Sequence, residues 1–312
     1  MCAYPDQTQT CLRAAINVLQ QAGVSSPQYD ARELLEYARA HASDVPRTAA
    51  GAQLRDELQK DASQADTECD VRHLFAELIR RRSAREPLQH ILGTMYFRYL
   101  ELESRPGVFI TRPETELVAE AGMNAISDTS HARVLDLCSG SGAIAISIAT
   151  EMPGTSVWAI EKSDVAHASA QRNIAKYQAN VHLIHGDVFE AERLLTQEAN
   201  RPHSPRWPAH SFDLVTSNPP YVPMNELLSP EVQADPPEAL FGGGDAGLDL
   251  PLALIPLAAR LTAPAGTFVM EHAEHQAQAL RDAAREYFHE VDTGYDYTSR
   301  PRWLLARRPT IA

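Results

Sequence analysis

Strand and helix patterns alternate along the chain from residue 114 onward, and this alternation constrains the fold more than any other feature. Short apolar runs of strand length are separated by segments in which apolar residues recur at helical spacing. The runs that we predict as strands are Arg133–Leu137, Ser156–Glu161, Val181–His185, Phe212–Thr216, Gly266–Glu271, Val291–Tyr295 and Arg302–Ala306. Such alternation favours a doubly wound α/β fold with a largely parallel sheet. Ligands of such sheets bind at the carboxyl ends of the strands.

The N-terminal part has a different pattern, and we predict a small helical domain over residues 1–88. Apolar residues recur at helical spacing within Leu12–Ala22, Ala31–Ala38 and Val71–Ile79. The basic cluster Arg80–Arg82 follows the third segment. We interpret it as a solvated helix end that complements the helix dipole, with a surface for RNA or an acidic partner as the alternative.

Three further segments lie between or within these patterns. Residues 45–67 are polar and weakly periodic, which is typical of a loop with a short helix. Residues 89–110 carry alternating and aromatic residues with a Pro-Gly turn signal, so we predict a hairpin linker to an α/β domain over 111–312. Residues 196–210 are proline-rich and predict a surface insertion. A metal site at His203 and His210 is disfavoured because no third ligand is evident.

Composition narrows the function classes. The chain of 312 residues is 44% hydrophobic and 22% charged, which is typical of a globular protein. A net charge of −13 disfavours tight binding to a phosphate backbone, so we expect no stable nucleic-acid partner. The four cysteines form no Cys-x-x-Cys pair, and no apolar run approaches membrane-spanning length. We therefore expect a cytoplasmic protein, without a membrane partner or a metal, that acts as a monomer.

A glycine-containing turn, Asp136–Gly142, follows the first strand of the α/β region and opens a helix. Gly140 and Gly142 permit a tight turn and the close approach of a ligand to the backbone. The sequence departs from Gly-x-Gly-x-x-Gly and lacks the P-loop lysine, which disfavours a dinucleotide or a triphosphate. A plain tight β–α turn is the alternative.

Acidic residues end the next two strands. Glu161 follows the glycines by roughly twenty residues, where a carboxylate accepts hydrogen bonds from the two ribose hydroxyls. Its alternative is a carboxylate near a helix N-terminus. Asp187 could accept from an adenine amino group, with Val188 or Phe189 against the ring. A nucleoside site without a phosphate binder favours S-adenosylmethionine.

A tetrad, Asn218-Pro219-Pro220-Tyr221, follows the fourth predicted strand. Each proline has a fixed φ and no N–H, and the residue before each proline is pushed to extended geometry. The Asn218 and Pro219 carbonyls can therefore remain free to face a ligand. This arrangement suits a planar amide or amino group held against the Tyr221 ring.

Five segments resemble the peptide chain release factor N5-glutamine methyltransferases, also called the HemK/PrmC family. These segments lie in order over nearly the whole chain, within Leu12–Leu35, Arg85–Gly93, Arg112–Glu116, Asp136–Ala145 and Asn218–Tyr221. The tetrad alone is shared with many amino-methyltransferases, including those that act on adenine in DNA. Arg112–Glu116 together with the tetrad is much more specific.

The resemblance implies a Rossmann-like S-adenosylmethionine-dependent methyltransferase domain with a small N-terminal helical domain. The acceptor would be the glutamine of the Gly-Gly-Gln motif in a release factor. The cofactor-binding residues would be Asp136, Cys138, Ser139, Gly140, Ser141, Gly142, Glu161, Asp187, Val188 and Asn218. The acceptor would be bound by Asn218, Pro219, Pro220, Tyr221, Arg112 and Glu114, with Asn218, Pro219 and Tyr221 as the catalytic residues.

Three alternatives remain at this point. Cys138 replaces the family's commoner glycine, as in sister enzymes that methylate a glutamine of a ribosomal protein. An adenine-N6 nucleic-acid methyltransferase is disfavoured by the acidic charge, and a non-catalytic adenosyl-binding adaptor by the intact tetrad and turn.

Finally, we predict that Asp235–Gly244 packs beside the site as a lid-like loop, with a plain Gly-rich connection as the alternative.

Overall fold

A computed structural model describes residues 4–42, 63–199 and 210–310. The chain divides after Gly93 into two compact units, residues 1–93 and 94–312. The domain boundaries predicted at residues 88 and 110 stay a prediction. Of the segments interpreted as a polar loop with a short helix (45–67) and as a surface insertion (196–210), residues 45–62 and 200–209, with His203, lie outside the described residues, whereas 63–67 and 196–199 are helical.

The first unit is helical, as the periodicity predicts. Its helices are α1 (Tyr4–Gln21), α2 (Pro27–His41), α3 (Ser63–Ser83) and the short α4 (Leu88–Leu92). Leu19, Leu34, Phe75 and Leu78 pack together in its core. Gly23 has a φ of +74°, which lets the chain turn between α1 and α2 without the strain that a side chain would add.

The basic cluster at the end of α3 differs from the prediction. Arg82 is buried, and its Nε donates to Asp30 of α2 at 2.7 Å. Arg80 and Arg81 also pair with nearby carboxylates. The interpretation of a solvated helix end is therefore wrong for Arg82. A buried guanidinium needs a counter-charge, and this one lies 52 residues away in sequence.

The second unit combines a hairpin with a seven-stranded sheet. The hairpin pairs β1 (Thr94–Phe97) with β2 (Leu100–Glu103). The sheet contains β3 (Arg133–Leu137), β4 (Ser156–Glu161), β5 (Val181–His185), β6 (Phe212–Ser217), β7 (Thr262–Glu271), β8 (Phe288–Tyr295) and β9 (Pro301–Pro309). The helices are α5 (Pro113–Ala125), α6 (Ala143–Glu151), α7 (Asp164–Tyr177), α8 (Ala191–Ala199), α9 (Pro237–Leu240), α10 (Asp249–Leu261) and α11 (Ala277–Ala284).

The strand order, β5-β4-β3-β6-β7-β9-β8, confirms the predicted doubly wound α/β fold. Strands β3 to β7 are mutually parallel, and β9 runs antiparallel between β7 and β8. The direction of winding reverses between β3 and β6. Ligands of doubly wound sheets bind at this reversal, outside the carboxyl ends of the strands.

Both faces of the parallel strands are buried. Leu135, Leu137 and Ile160 pack into one apolar layer, while Val134 and Val157 pack into the opposite layer. Successive side chains of a strand alternate between faces, so continuous apolar runs cover both. The strand ends that carry the polar residues are therefore fixed by a packed core. Among the described helices, none has both the length and the apolar character that crossing a bilayer requires.

Candidate active site

A cavity of about 820 Å³ opens at the carboxyl ends of β3, β4, β5 and β6. This volume lies within the ~300–1,000 Å³ that is usual for small-molecule sites. The lining contains every predicted site residue except Gly142 and Glu114. The sequence reasoning missed several other lining residues, which include Phe109, Thr111, Thr115, Lys162 and Val165.

Gly140 and Gly142, in the turn after β3, have different structural roles. Gly140 has a φ of +58°, and a Cβ placed on it would meet no atom within 4 Å. The backbone at Gly140 therefore borders open space in which a ligand can approach. A Cβ on Gly142 would instead lie 3.0 Å from Ile146 Cδ1, so this glycine permits the close packing of α6.

Cys138 of the same turn holds a neutral thiol. Burial raises the pKa of the thiol above its usual value, and the nearby Glu161 and Asp136 carboxylates raise it further. A thiol that does not ionise is a poor nucleophile. This agrees with the sequence argument against a nucleophilic role for Cys138.

Glu161 links the turn to the end of β4. Its Oε2 accepts from Gly140 N and its Oε1 from Ser163 N, each at 2.7 Å. Burial raises the pKa of Glu161, and these N–H groups act against that rise. Because a carboxylate has about four acceptor positions, both oxygens can accept further bonds from a ligand.

Asp187, after β5, forms the next acidic position of the cavity. Burial raises its pKa, but the hydrogen bonds from Lys162 at 2.8 Å and from Phe189 N at 3.0 Å outweigh burial, so the pKa is lowered. Asp187 is therefore ionised, and its carboxylate caps the short 3-10 turn Val188–Glu190.

Asp136, at the end of β3, is buried without a cation. Its Oδ1 accepts from Thr216 Oγ1 at 2.8 Å, and its Oδ2 has no hydrogen-bond partner in the described chain. Burial raises the pKa of Asp136 to about 7. The cavity thus contains a carboxyl group whose charge changes near neutral pH.

Asn218, the first residue of the tetrad, is oriented by a side chain of α5. Its Nδ2 donates to Thr115 Oγ1 at 3.3 Å. A threonine hydroxyl can accept from an amide nitrogen or donate to an amide oxygen, and the structure places Nδ2 toward it. With Nδ2 engaged, Oδ1 is the amide atom that remains to accept from a ligand.

Tyr221, the last residue of the tetrad, is fixed at both its hydroxyl and its backbone. The hydroxyl donates to Glu271 Oε1 at 2.9 Å, and the carbonyl accepts from Gln276 Nε2 at 2.8 Å. Burial raises the pKa of Tyr221 well above its usual value, and Glu271 adds to the rise. Sequence reasoning missed Glu271, although it ends a predicted strand, as Glu161 does.

The segment after the tetrad packs directly on the tetrad backbone. Val222 N donates to Leu240 O at 2.7 Å, and Gly242 N donates to Val222 O at 3.1 Å. A Cβ on Gly242 would lie 2.7 Å from Pro220 O, and a Cβ on Gly247 would lie 2.2 Å from Tyr221 O. The predicted packing of Asp235–Gly244 beside the site is therefore confirmed, while its movement as a lid stays a prediction.

The two charged residues predicted to bind the acceptor occupy different places. Arg112 lines the cavity, pairs with the buried carboxylate of Asp235, and lies over the Phe109 ring at 4.9 Å from the ring centroid. Glu114 is absent from the lining and lies 3.6 Å from Arg302 of β9. Of the two, only Arg112 reaches the cavity.

Two families match the chain in the order of its two units. Residues 10–93 match the PrmC N-terminal domain, and residues 99–245 match the methyltransferase small domain. The first match ends where the helical unit ends, and the second covers the turn after β3 and the tetrad.

Curated relatives match over almost the whole length. The chain is 37% identical to a release factor glutamine methyltransferase of Bifidobacterium longum, over 95% of this chain and 97% of the relative. It is 39% identical to a release factor glutamine methyltransferase of Streptomyces coelicolor, over 93% of this chain and 94% of the relative.

A solved structure supports the fold. The chain resembles a 16S rRNA N2 G1207 methyltransferase of T. thermophilus, solved in complex with AdoMet and guanosine, with a TM-score of 0.50 and 22% identity. The match covers 69% of this chain and 49% of that one. At this identity, the likeness concerns the fold and not the substrate.

Proposed function

The chain belongs to the family of release factor glutamine methyltransferases, and on that premise we propose its reaction. It transfers a methyl group from S-adenosylmethionine to the side-chain amide nitrogen of the glutamine in the Gly-Gly-Gln motif of peptide chain release factors. The observation that carries the proposal is the orientation of Asn218, whose Nδ2 is engaged by Thr115 and whose Oδ1 remains as an acceptor.

The strand ends β3 to β5 fit S-adenosylmethionine. Open space beside Gly140 admits a ligand to the backbone, and Glu161 keeps acceptor positions for ribose hydroxyls. Asp187, with Val188 beside it, is placed to accept from an adenine amino group. Asp136 brings negative charge to a site that would hold a cationic ligand. When bound, the cofactor supplies an electrophilic methyl group on a positively charged sulfur.

The tetrad fits a primary amide. A carboxamide nitrogen is a poor nucleophile because its lone pair is delocalised into the carbonyl. Asn218 Oδ1 and the Pro219 carbonyl can each accept one N–H of the glutamine, which fixes the direction in which the nitrogen faces. The Tyr221 ring offers a flat surface for the amide plane.

Positioning supplies most of the catalysis in this proposal. Holding the two reacting atoms in line replaces a bimolecular encounter by an ordered one. On accepting the methyl group the nitrogen would become positive, while the sulfur keeps the electron pair of the broken S–C bond, and the nitrogen would then release one proton to water. Oxygen acceptors that are already oriented stabilise that charge without having to reorganise.

Predictions on partners extend the proposal. We expect a monomer that acts in the cytoplasm on a protein acceptor and forms no stable complex with nucleic acid. A ribosomal-protein glutamine and an adenine base remain the alternative acceptors, since Cys138 and the tetrad also occur in enzymes for them.

Mass spectrometry of candidate acceptors tests the proposal. The protein is incubated with S-adenosylmethionine and, separately, a release factor, the same factor with its Gly-Gly-Gln glutamine changed to glutamate, ribosomal proteins, or DNA. We expect a mass gain of one methyl group on the Gly-Gly-Gln peptide of the unchanged factor only. Methylation of ribosomal protein or DNA, with none on release factors, would overturn the assignment.

A further inference from the structure

Glu271 is a buried carboxylate directly behind the tetrad. It ends β7, whose register places Met270 beside Ser217 at the end of β6. Only 2% of Glu271 is exposed, and its Oε1 accepts from the Tyr221 hydroxyl at 2.9 Å. A carboxylate at this depth needs a local reason, since buried charges are costly without compensating partners.

The second oxygen of Glu271, Oε2, is buried and has no hydrogen-bond partner within the described chain. The Thr115 hydroxyl is nevertheless close enough to lower the pKa of Glu271. Thr115 Oγ1 already accepts from Asn218 Nδ2 at 3.3 Å, so its own hydrogen is free to point toward the carboxylate.

Resting on the proposed function, we propose that Glu271 is a positioning residue for methyl transfer. It holds the Tyr221 hydroxyl directly, and it holds Asn218 through the Thr115 hydroxyl. A Thr115 that donates to Glu271 can only accept from Asn218. The carboxylate therefore determines that Asn218 offers Oδ1, and not Nδ2, to the acceptor glutamine.

The surroundings of Glu271 make its charge sensitive to pH. The charged and titratable groups with the largest effect on its pKa are Tyr221 of the tetrad, Glu114 of α5 and Arg302 of β9. Burial raises the pKa of Glu271 to about 7, the two hydroxyls and Arg302 lower it, and Glu114 raises it. An ionised Glu271 accepts from both hydroxyls, whereas a protonated Glu271 has one acceptor position fewer. Transfer should therefore slow as the pH falls through about 7.

The first test compares Glu271→Gln with wild type on intact release factor. Glutamine keeps the size but provides one acceptor oxygen and a donor, so one of the two bonds is lost. We expect kcat to fall on the order of 10- to 100-fold, as for a lost hydrogen bond to a charged group, with the dissociation constant of S-adenosylmethionine unchanged. At saturating S-adenosylmethionine, the inflection of kcat near pH 7 should disappear, whereas a pH dependence of donor affinity through Asp136 should remain.

Glu274→Gln is the matched control, because Glu274 is 55% exposed, lies 3.9 Å from Arg300 and is not in the cavity lining. It should behave as wild type in kcat and in the pH profile.

The second test separates positioning from general loss of structure. Thr115→Val keeps the shape but removes the acceptor for Asn218, while Thr115→Ser keeps the hydroxyl. We expect Thr115→Val to lower kcat as Glu271→Gln does, and Thr115→Ser to keep a kcat close to that of wild type. In the double variant that combines Glu271→Gln with Thr115→Val, the fold-loss in kcat should be smaller than the product of the two single fold-losses.

The outcomes are distinguishable from failure of the proposed function. A Glu271→Gln variant that transfers the methyl group as fast as wild type would overturn the positioning role alone. Equal losses of kcat in Thr115→Val and Thr115→Ser would do the same. A wild-type protein that methylates no release factor would overturn the function instead. In that case the pH dependence of kcat, with its inflection near pH 7, would be measured on whichever acceptor is methylated.

Discussion

The two sides of the cavity hold their polar groups by different means. On the donor side, formed by the turn after β3 and the ends of β4 and β5, Glu161 is held by backbone N–H groups of Gly140 and Ser163. On the acceptor side, formed by the tetrad, Asn218 and Tyr221 are held by side chains of other elements. The contacts of Glu161 span at most 21 residues of sequence, whereas those of Asn218 and Tyr221 span 103 and 50 residues. Changes on the two sides should therefore alter different kinetic quantities.

Asn218→Ala should give the largest effect. The variant removes the oxygen that orients the acceptor amide, so we expect kcat to fall on the order of 10³-fold, comparable to the loss of one oriented group in a preorganised site. Isothermal titration should find the affinity for S-adenosylmethionine little changed. Full activity in this variant would contradict the claim that the acceptor side of the cavity determines kcat.

Gly247→Ala, which is also on the acceptor side, should give the next largest effect. Its φ of +69° disfavours a side chain, and the added Cβ would lie 2.2 Å from Tyr221 O, so the tetrad backbone must shift. A shift of about 1 Å near the chemistry can reduce the rate ~10²-fold.

Gly93→Ala is the control for backbone strain alone, since it has a φ of +76° and no atom within 4 Å of the added Cβ. Its kcat should remain that of wild type, although its melting temperature should fall. A Gly247→Ala enzyme with normal kcat would show that the tetrad tolerates displacement.

Glu161→Gln should act on the donor side. It replaces one acceptor oxygen by an NH₂ group and removes the charge, so S-adenosylmethionine should bind roughly 10- to 100-fold more weakly. At saturating donor, kcat should stay close to wild type, as measured in steady-state assays on release factor. A loss confined to kcat would contradict the assignment of Glu161 to donor binding.

Stability should also depend on pH through Glu271. The native pKa of Glu271 is raised to about 7 from 4.5, so between these values the native state binds more protons than the unfolded state. The free energy of unfolding should then decrease as pH rises through this window, by about 3 kcal/mol at most. Glu271→Gln should reduce the pH dependence of the melting temperature across the window and leave the part that comes from Asp136, whose pKa is also raised to about 7. An equal pH dependence in both proteins would contradict the burial of an ionisable Glu271.

The donor side could be predicted from sequence because its signals are local. Strand periodicity, the glycines of one turn and acidic strand ends fixed β3, β4 and β5 at their observed bounds and brought Gly140, Glu161 and Asp187 to one cavity. Gly142 of the same turn lies outside the cavity lining, and a Cβ on it would lie 3.0 Å from Ile146 Cδ1, so its assignment to cofactor binding stays a prediction.

The support of the acceptor side could not be predicted, because it joins residues far apart in the chain. Asn218 and Thr115 are separated by 103 positions, and Tyr221 and Glu271 by 50. The prediction of a solvated Arg82 was wrong for the same reason, since its partner Asp30 lies on another helix. Periodicity shows which face of an element is buried, but the pairing of polar groups on that face depends on tertiary register.

A crystal structure of the protein with a release-factor fragment and demethylated cofactor tests the central claim most directly. The account predicts that Asn218 Oδ1 accepts from the glutamine amide nitrogen at about 2.7–3.2 Å, while Asn218 Nδ2 still donates to Thr115. A reversed Asn218 amide that donates to the glutamine carbonyl, or a glutamine bound away from the tetrad, would contradict it.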